Sequence, residues 1–374
     1  MTKNRSLFSA VIVIIGALVI LVAHADSNTF EQRKILPYLE AEGEVPSFGA
    51  ASMVWLNSEK IIFTTFASSE SYRREELADK VIHHFDAGSQ VVTFNVNTKM
   101  TEFYKKGKFF NLKDGVITIV LKDVIVKGAS SENYKELLKG PLGNEVSETY
   151  YQEKQMTKPI KQCPNDNEPL PTPPQYSLAQ PLKAEHGCIR ESFSQASFPR
   201  AMHYTYFRVD GQKIELEMPT YDELGPYRWI DWLNAYLFGD SVTMDISNSR
   251  DQIPINTATV KLLSPLGGFK LVEMGEFGFT KVRPTRAGMV AAKNLPESGA
   301  FGPRNNGLYL WQGRQKQQIT EGNVDNAEVS PDGCKVAYCS RIRNVISRKI
   351  QNCKLRVIDV CEGFGVNNDA NPFK

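Results

Sequence analysis

The chain has 374 residues, 41% of them hydrophobic and 23% charged, the balance of a globular protein, so disorder of the whole chain is excluded. That length exceeds a minimal domain and suits one large domain built from repeats. Removing Lys3 and Arg5 from the 44 basic residues leaves 42 against 42 acidic ones, and a neutral remainder offers no electrostatic footprint for nucleic acid.

Lys3 and Arg5 precede an uncharged run, Leu7 to Ala23, that ends in Ala23-His24-Ala25. This is the layout of a secretory signal peptide over residues 1–25. The run is slightly long for that role, and residues 7–23 also approach the length of a membrane anchor. Membrane contact is therefore expected only if the leader stays uncleaved. Either way the remainder is expected to be exported, to the periplasm or the cell exterior.

Arg33-Lys-Ile-Leu-Pro-Tyr-Leu39 forms a short stretch ahead of Trp55-Leu-Asn-Ser-Glu-Lys-Ile-Ile-Phe63, where an aromatic residue, a polar turn and an apolar strand follow one another. Ser68 to Asp86 is charged, with Leu77, Val81 and Phe85 at helical spacing, which predicts a short helix inserted between two strands. Asn111-Leu-Lys-Asp-Gly-Val-Ile-Thr-Ile119 carries an Asp-Gly turn before a β-rich run. Residues 152–185 hold seven prolines between Pro159 and Pro181 and read as a second insert, an extended surface excursion. Gly187 to Phe193 is a fainter β-rich piece.

Tyr221, Tyr227, Trp229, Trp232, Tyr236 and Phe238 follow, interleaved with Asp222, Glu223, Arg228 and Asp231. They suit either a sugar- or peptide-binding platform or the packing of one sheet on another, and the second reading is favoured. Val282-Arg-Pro-Thr-Arg-Ala-Gly-Met-Val-Ala-Ala292 keeps a proline turn and a small apolar strand. The clearest pattern comes last: Gly307 to Trp311, Gln318 to Thr320, Val329-Ser-Pro-Asp-Gly-Cys-Lys-Val-Ala-Tyr338 and Leu355 to Asp359, with Pro331-Asp332-Gly333 as strong turn chemistry. Residues 364–374 are rich in Gly and Asn and read as a flexible tail.

Residues 307–363 resemble one blade of the TolB-type, WD40-like propeller repeat, in which a Ser-Pro-Asp-Gly turn joins two strands. With this template, Ile61, Ile117, Tyr236, Val290 and Val336 mark equivalent second strands at steps of 56, 119, 54 and 46 residues. The doubled step implies a hidden unit near Gly187 to Phe193, making six. The expectation is an all-β fold: one six-bladed β-propeller over residues 26–363, with four-stranded antiparallel blades and inserts at 68–86 and 152–185. The last blade lacks a fourth strand, so the N-terminal stretch is expected to supply it and close the ring. An open solenoid is the competing arrangement.

All six cysteines, Cys163, Cys188, Cys334, Cys339, Cys353 and Cys361, follow the leader without CxxC spacing, which favours disulfides over metal ligation. Within a blade, Cys334 begins the second strand and Cys361 ends the third, while Cys339 and Cys353 lie at the opposite end. Pairs Cys334–Cys361 and Cys339–Cys353 are expected, leaving Cys163 with Cys188. The residue sums 695 and 692 differ, so a bulge or loose end is also expected.

No GxSxG, GxxxxGK[ST], HExxH or EF-hand loop occurs. Adjacent His83 and His84 near Asp86 read as polar surface rather than a metal corner, and a Cys188–His186 nucleophile would be forbidden by a disulfide. No catalytic, cofactor-binding or metal-binding residues are therefore assigned, and no cofactor is expected. The resemblance implies a protein-binding or assembly scaffold with a protein partner in the cell envelope. The alternatives are a propeller lyase or hydrolase with its site in the central channel, and a surface module binding a carbohydrate, peptide or other small ligand.

Overall fold

The computed structural model describes residues 32–45, 53–66, 73–113, 115–128, 132–151, 188–193, 201–207, 213–219, 227–238, 259–264, 268–274, 279–294, 305–313, 315–341 and 353–373. The leader, the proline-dense insert, Cys163 and His186 lie outside them.

The chain is all-β, with several four-stranded antiparallel sheets. Two short strands, β1 (Gln32–Arg33) and β2 (Tyr38–Glu40), come first. The first sheet holds β3 (Met53–Trp55) and β4 (Lys60–Phe66), which are followed in sequence by a hairpin, β5 (Arg73–Glu76) and β6 (Lys80–His84), and then by its remaining strands β7 (Ser89–Asn95) and β8 (Met100–Lys106). The second sheet comprises β9 (Lys108–Lys113), β10 (Val116–Val126), β11 (Tyr134–Pro141) and β12 (Val146–Tyr151), together with β5 and β6. A third sheet contains β13 (Cys188–Phe193), β14 (Ala201–Phe207) and β15 (Lys213–Pro219). The fourth runs β16 (Tyr227–Ile230), β17 (Ala235–Phe238), β18 (Thr259–Ser264) and β19 (Gly268–Glu273). The fifth contains β20 (Thr280–Thr285), β21 (Gly288–Lys293), β22 (Gly307–Gln312) and β23 (Gln315–Gln318), and the sixth β24 (Val324–Val329), β25 (Lys335–Arg341) and β26 (Cys353–Asp359).

Strand periodicity explains how the sheets stack, because alternate side chains leave opposite faces. In β4, Ile61 and Phe63 pack toward Ala337, Leu355 and Val357 of the sixth sheet, whereas Ile62 packs with Phe109, Ile117 and Ile119 of the second. In β22, Leu308 and Leu310 join Val336 and Tyr338 of the sixth sheet, whereas Tyr309 and Trp311 join Ile230, Leu237 and Leu262 of the fourth. These central strands are apolar on both faces because both faces are buried. The fourth, fifth, sixth, first and second sheets thus form a continuous face-to-face stack in that order. Each fully buried Ile, Leu or Phe contributes about 1.5–3 kcal/mol relative to exposure.

The N-terminal segment completes the sixth sheet. Tyr38, Leu39 and Glu40 pair antiparallel with Ile358, Val357 and Arg356, and Arg356 Nε donates to Glu40 at 2.8 Å. Just before that, β1 pairs in parallel with β23 of the fifth sheet. One short stretch therefore spans the edges of two neighbouring sheets.

Three expectations are corrected. Segment 68–86 holds no helix among its described residues: Arg73–Glu76 and Lys80–His84 are strands. The i, i+4, i+8 spacing was outweighed by β10, whose second half offers an open edge to Lys80–His84. The unit read over 307–363 is out of phase with the sheets, since Gly307–Gln312 and Gln315–Gln318 are the third and fourth strands of the fifth sheet. The Ser-Pro-Asp-Gly turn instead joins the first two strands of the sixth. Nor does the expected tail fray: α1 (Val360–Phe364) is capped by Asp359, the Asn367 N–H donates to the Arg286 carbonyl at 2.8 Å, and Phe373 packs on the fourth and fifth sheets. Burial of an aromatic side chain outweighs the Gly and Asn content.

Candidate binding recess at the first strands of three sheets

The Ser330 to Lys335 turn anchors the site. Ser330 Oγ accepts from the Lys335 N–H at 2.8 Å, and the Gly333 N–H donates to the Ser330 carbonyl at 2.8 Å. Asp332 Oδ1 accepts from the Ser330 hydroxyl at 2.5 Å and from the Cys334 N–H at 3.1 Å. Burial alone would raise the Asp332 carboxyl; these two bonds and nearby Lys335 carry it below the usual carboxylate value instead. Gly333 has φ +80°, and a Cβ there would lie 2.6 Å from Trp232 Cγ, so this turn admits the indole only because the residue is glycine.

Trp232 fastens the fourth sheet to its neighbours. Its Nε1 donates to the Pro284 carbonyl at 2.9 Å, and the Arg286 guanidinium lies 5.8 Å from its ring centre. Arg286 Nε in turn donates to the Asp332 carbonyl at 2.6 Å. The Trp229 and Tyr236 rings sit 4.7 Å apart. Sheet packing therefore accounts for Trp232 and for the Trp229–Tyr236 pair; Tyr221, Asp222 and Glu223 lie outside the described residues.

Where the first strands of the fourth, fifth and sixth sheets meet, Trp229, Ile230, Asp231, Trp232, Arg283, Glu328, Val329 and Ser330 line a recess of about 300 Å³, open solvent included. The enclosed part is only about 40 Å³, far smaller than the roughly 300–1,000 Å³ of small-molecule sites. Arg283 is fully buried; its Nη2 lies 3.6 Å from Glu328 Oε1, and its Nη1 donates to its neighbour's carbonyl, Val282, at 2.8 Å. A register shift between Thr280 and Arg283, with Lys281 at φ +54°, re-aims this strand. From the first sheet, Trp55 Nε1 donates to the Glu328 carbonyl at 3.0 Å. Arg283 and Glu328 were not singled out from sequence. The available signal was a charge inside an otherwise apolar strand, Val282-Arg-Pro.

The structure brings Cys334 together with Cys361, Cα atoms 5.0 Å apart, and Cys339 with Cys353, Cα atoms 5.5 Å apart. Of the expected bulge or loose end, the structure shows the loose end: β25 and β26 keep one register throughout, with Cys339 opposite Leu355 and Cys353 opposite Arg341. The second bridge therefore crosses diagonally on one face, and the first joins residues just beyond the strand ends. Cys188 opens β13, while Cys163 lies outside the described residues. His83 and His84 sit on β6, a strand, so they point to opposite faces; among the described residues no cluster of His, Cys, Asp and Glu could hold a metal.

No family model matches the chain, and no curated protein matches it. Solved structures similar to it include TolB from Acinetobacter baumannii, at 11% identity and TM-score 0.32 over 77% of this chain and 65% of that one. An acylaminoacyl peptidase from Pyrococcus horikoshii follows at 10% identity and TM-score 0.30, over 75% of this chain and 41% of that one. The β-propeller domain of the Trilobed protease from Pyrococcus furiosus shows 10% identity and TM-score 0.29, over 74% and 80%. The chain thus spans less than two thirds of the length of the first two. At such scores superposition carries no weight, and the fold rests on its own sheets: all-β, several of them four-stranded and antiparallel, stacked face to face.

Proposed function

We propose that the chain is an exported six-bladed β-propeller, its ring closed by the N-terminal strand, that acts as a protein-binding scaffold in the cell envelope. The carrying observation is the sixth sheet, where β2 supplies the edge strand and one apolar cluster joins this sheet to the first. A sheet stack that returns to its own beginning protects its edges from foreign strands. Two cysteine pairs at bonding distance support an oxidising compartment. The recess supports binding over catalysis, because Arg283 already engages the Glu328 carboxylate and the lining includes no histidine among the described residues. Its small enclosed volume suits the tip of one inserted side chain of a partner protein better than a whole small molecule.

A photo-crosslinking residue placed at exposed Asp231 tests this against one at exposed Glu148 on the second sheet. The expected result is a discrete protein adduct in envelope extract from the Asp231 probe alone. Equal labelling from both positions, or no adduct while a small ligand binds the recess, overturns the scaffold reading.

A further inference from the structure

The second sheet carries a separate arrangement of charges. A single row crosses it from edge to edge: Tyr150, Lys135, Asp123, His83 and Arg74 are successive cross-strand partners, so their side chains share one face. Lys108 enters this face from β9, which lies end to end with β6 along β10. Two contacts fix its backbone. Gly107, at φ +116°, packs so closely that a Cβ would meet the Val120 carbonyl oxygen at 2.9 Å, and the Phe109 N–H donates to Thr64 Oγ1 at 2.8 Å.

The half-buried Lys108 ammonium stands 5.4 Å from the centre of the Phe85 ring, and Phe85 stacks on His83 with ring centres 6.3 Å apart. Among the described residues no carboxylate comes within 4 Å of Lys108 Nζ. Asp123 is engaged by Lys135 at 3.3 Å, and Arg74 by Glu76 at 3.4 Å. Lys135 also stands 5.9 Å from the Phe110 ring. Burial first, then Lys135, lowers the Lys108 pKa, with Asp123 opposing; burial also lowers that of His83, with Asp123 opposing and Arg74 and Lys108 adding to the fall. Lys108, Lys135, Arg74 and His83 thus share this face, which also carries the Lys139–Glu148 pair, and among the described residues Asp123 acts on Lys108 only from beyond ion-pair distance.

We propose that Lys108, flanked by Lys135 and the stacked His83–Phe85 pair, is the centre of a binding site for a small oxyanion, a carboxylate or phosphate group. The ion supplies a counter-charge in direct contact, the lysines donate charge-assisted hydrogen bonds to it, and the aromatic rings shield those bonds from water. This site lies apart from the recess beside Arg283 and does not depend on the proposed ring.

Reductive dimethylation of the full chain with labelled formaldehyde keeps every lysine charged and gives each an NMR signal. The Lys108 signal is identified by its loss in Lys108→Met. Titration with inorganic phosphate and, separately, succinate at low salt is expected to move that signal saturably, raise its pKa and leave exposed Lys139 unmoved. The anion that saturates at lower concentration identifies the source chemistry. Lys135→Met, which retains Lys108, is expected to weaken binding about tenfold or more. If Lys108 moves no further than Lys139 with either anion, or if Lys135→Met binds unchanged, the site does not exist.

Discussion

The sixth and second sheets solve one packing problem by opposite means. The sixth is short-stranded, tied by two cysteine pairs, turned by a side-chain-locked loop and covered by sheets on both faces. The second is built on an 11-residue strand, borrows a hairpin from within the first sheet, and lays rows of charge across its faces. Stability is concentrated in the former and surface chemistry in the latter, an arrangement in which rigid elements support a variable face.

The sharpest test of this contrast removes apolar bulk from each. Leu355→Ala, at a position 1% exposed between the sixth and first sheets, is expected to cost about 2–5 kcal/mol of unfolding free energy. Ile125→Ala, 41% exposed on the second sheet, should cost less than about 1 kcal/mol. Urea unfolding followed by tryptophan fluorescence measures both, and equal losses would erase the distinction. Next in size, replacing Cys339 and Cys353 together with alanine should cost about 2–4 kcal/mol. A guanidinium midpoint that ignores both this change and reductant would mean that the pair is not bonded in solution.

Gly333→Ala forces a side chain into the Trp232 ring at positive φ, and is expected to cost about 1–3 kcal/mol. A matching blue shift or loss of tryptophan emission would place the damage at the indole, and an unaltered melting curve would show that the close approach is absent. The smallest effect concerns acid. The folded Asp332 carboxyl sits below its unfolded value, so its contribution is full above the ordinary carboxylate pKa and is lost as pH falls through the folded one. Asp332→Asn should therefore flatten the acid limb of stability below about pH 4 and leave the neutral limb parallel to that of the parent. A parallel acid limb would refute it.

The same contrast explains what the sequence disclosed. Ser330-Pro-Asp-Gly333 is local chemistry: the four residues and Lys335 satisfy one another, so the turn and both flanking strands are legible in one stretch. The second sheet is assembled from distant pieces, and nothing within Arg73 to His84 reveals that its partner lies 40 residues on, at Lys122 to Val126. A strand edge offered by another part of the chain overrides helical spacing, and no local pattern reports that edge. The recess failed to appear for a related reason. Arg283 and Glu328 are 45 positions apart and meet because two first strands run side by side; only a charge in an apolar strand hinted at it. The row on the second sheet was split in the same way, with His83 noticed beside the wrong neighbour, His84, instead of across from Asp123.

Pairing Glu40 with Arg356 joins residues 316 positions apart. Closing a loop of that length has an entropic cost, so the outermost ladder of the sixth sheet is expected to form late in folding, with β2 left unpaired until then. On that order a nascent molecule would carry an unpaired strand edge through much of its assembly, a period in which a chaperone or a second copy would have something to hold.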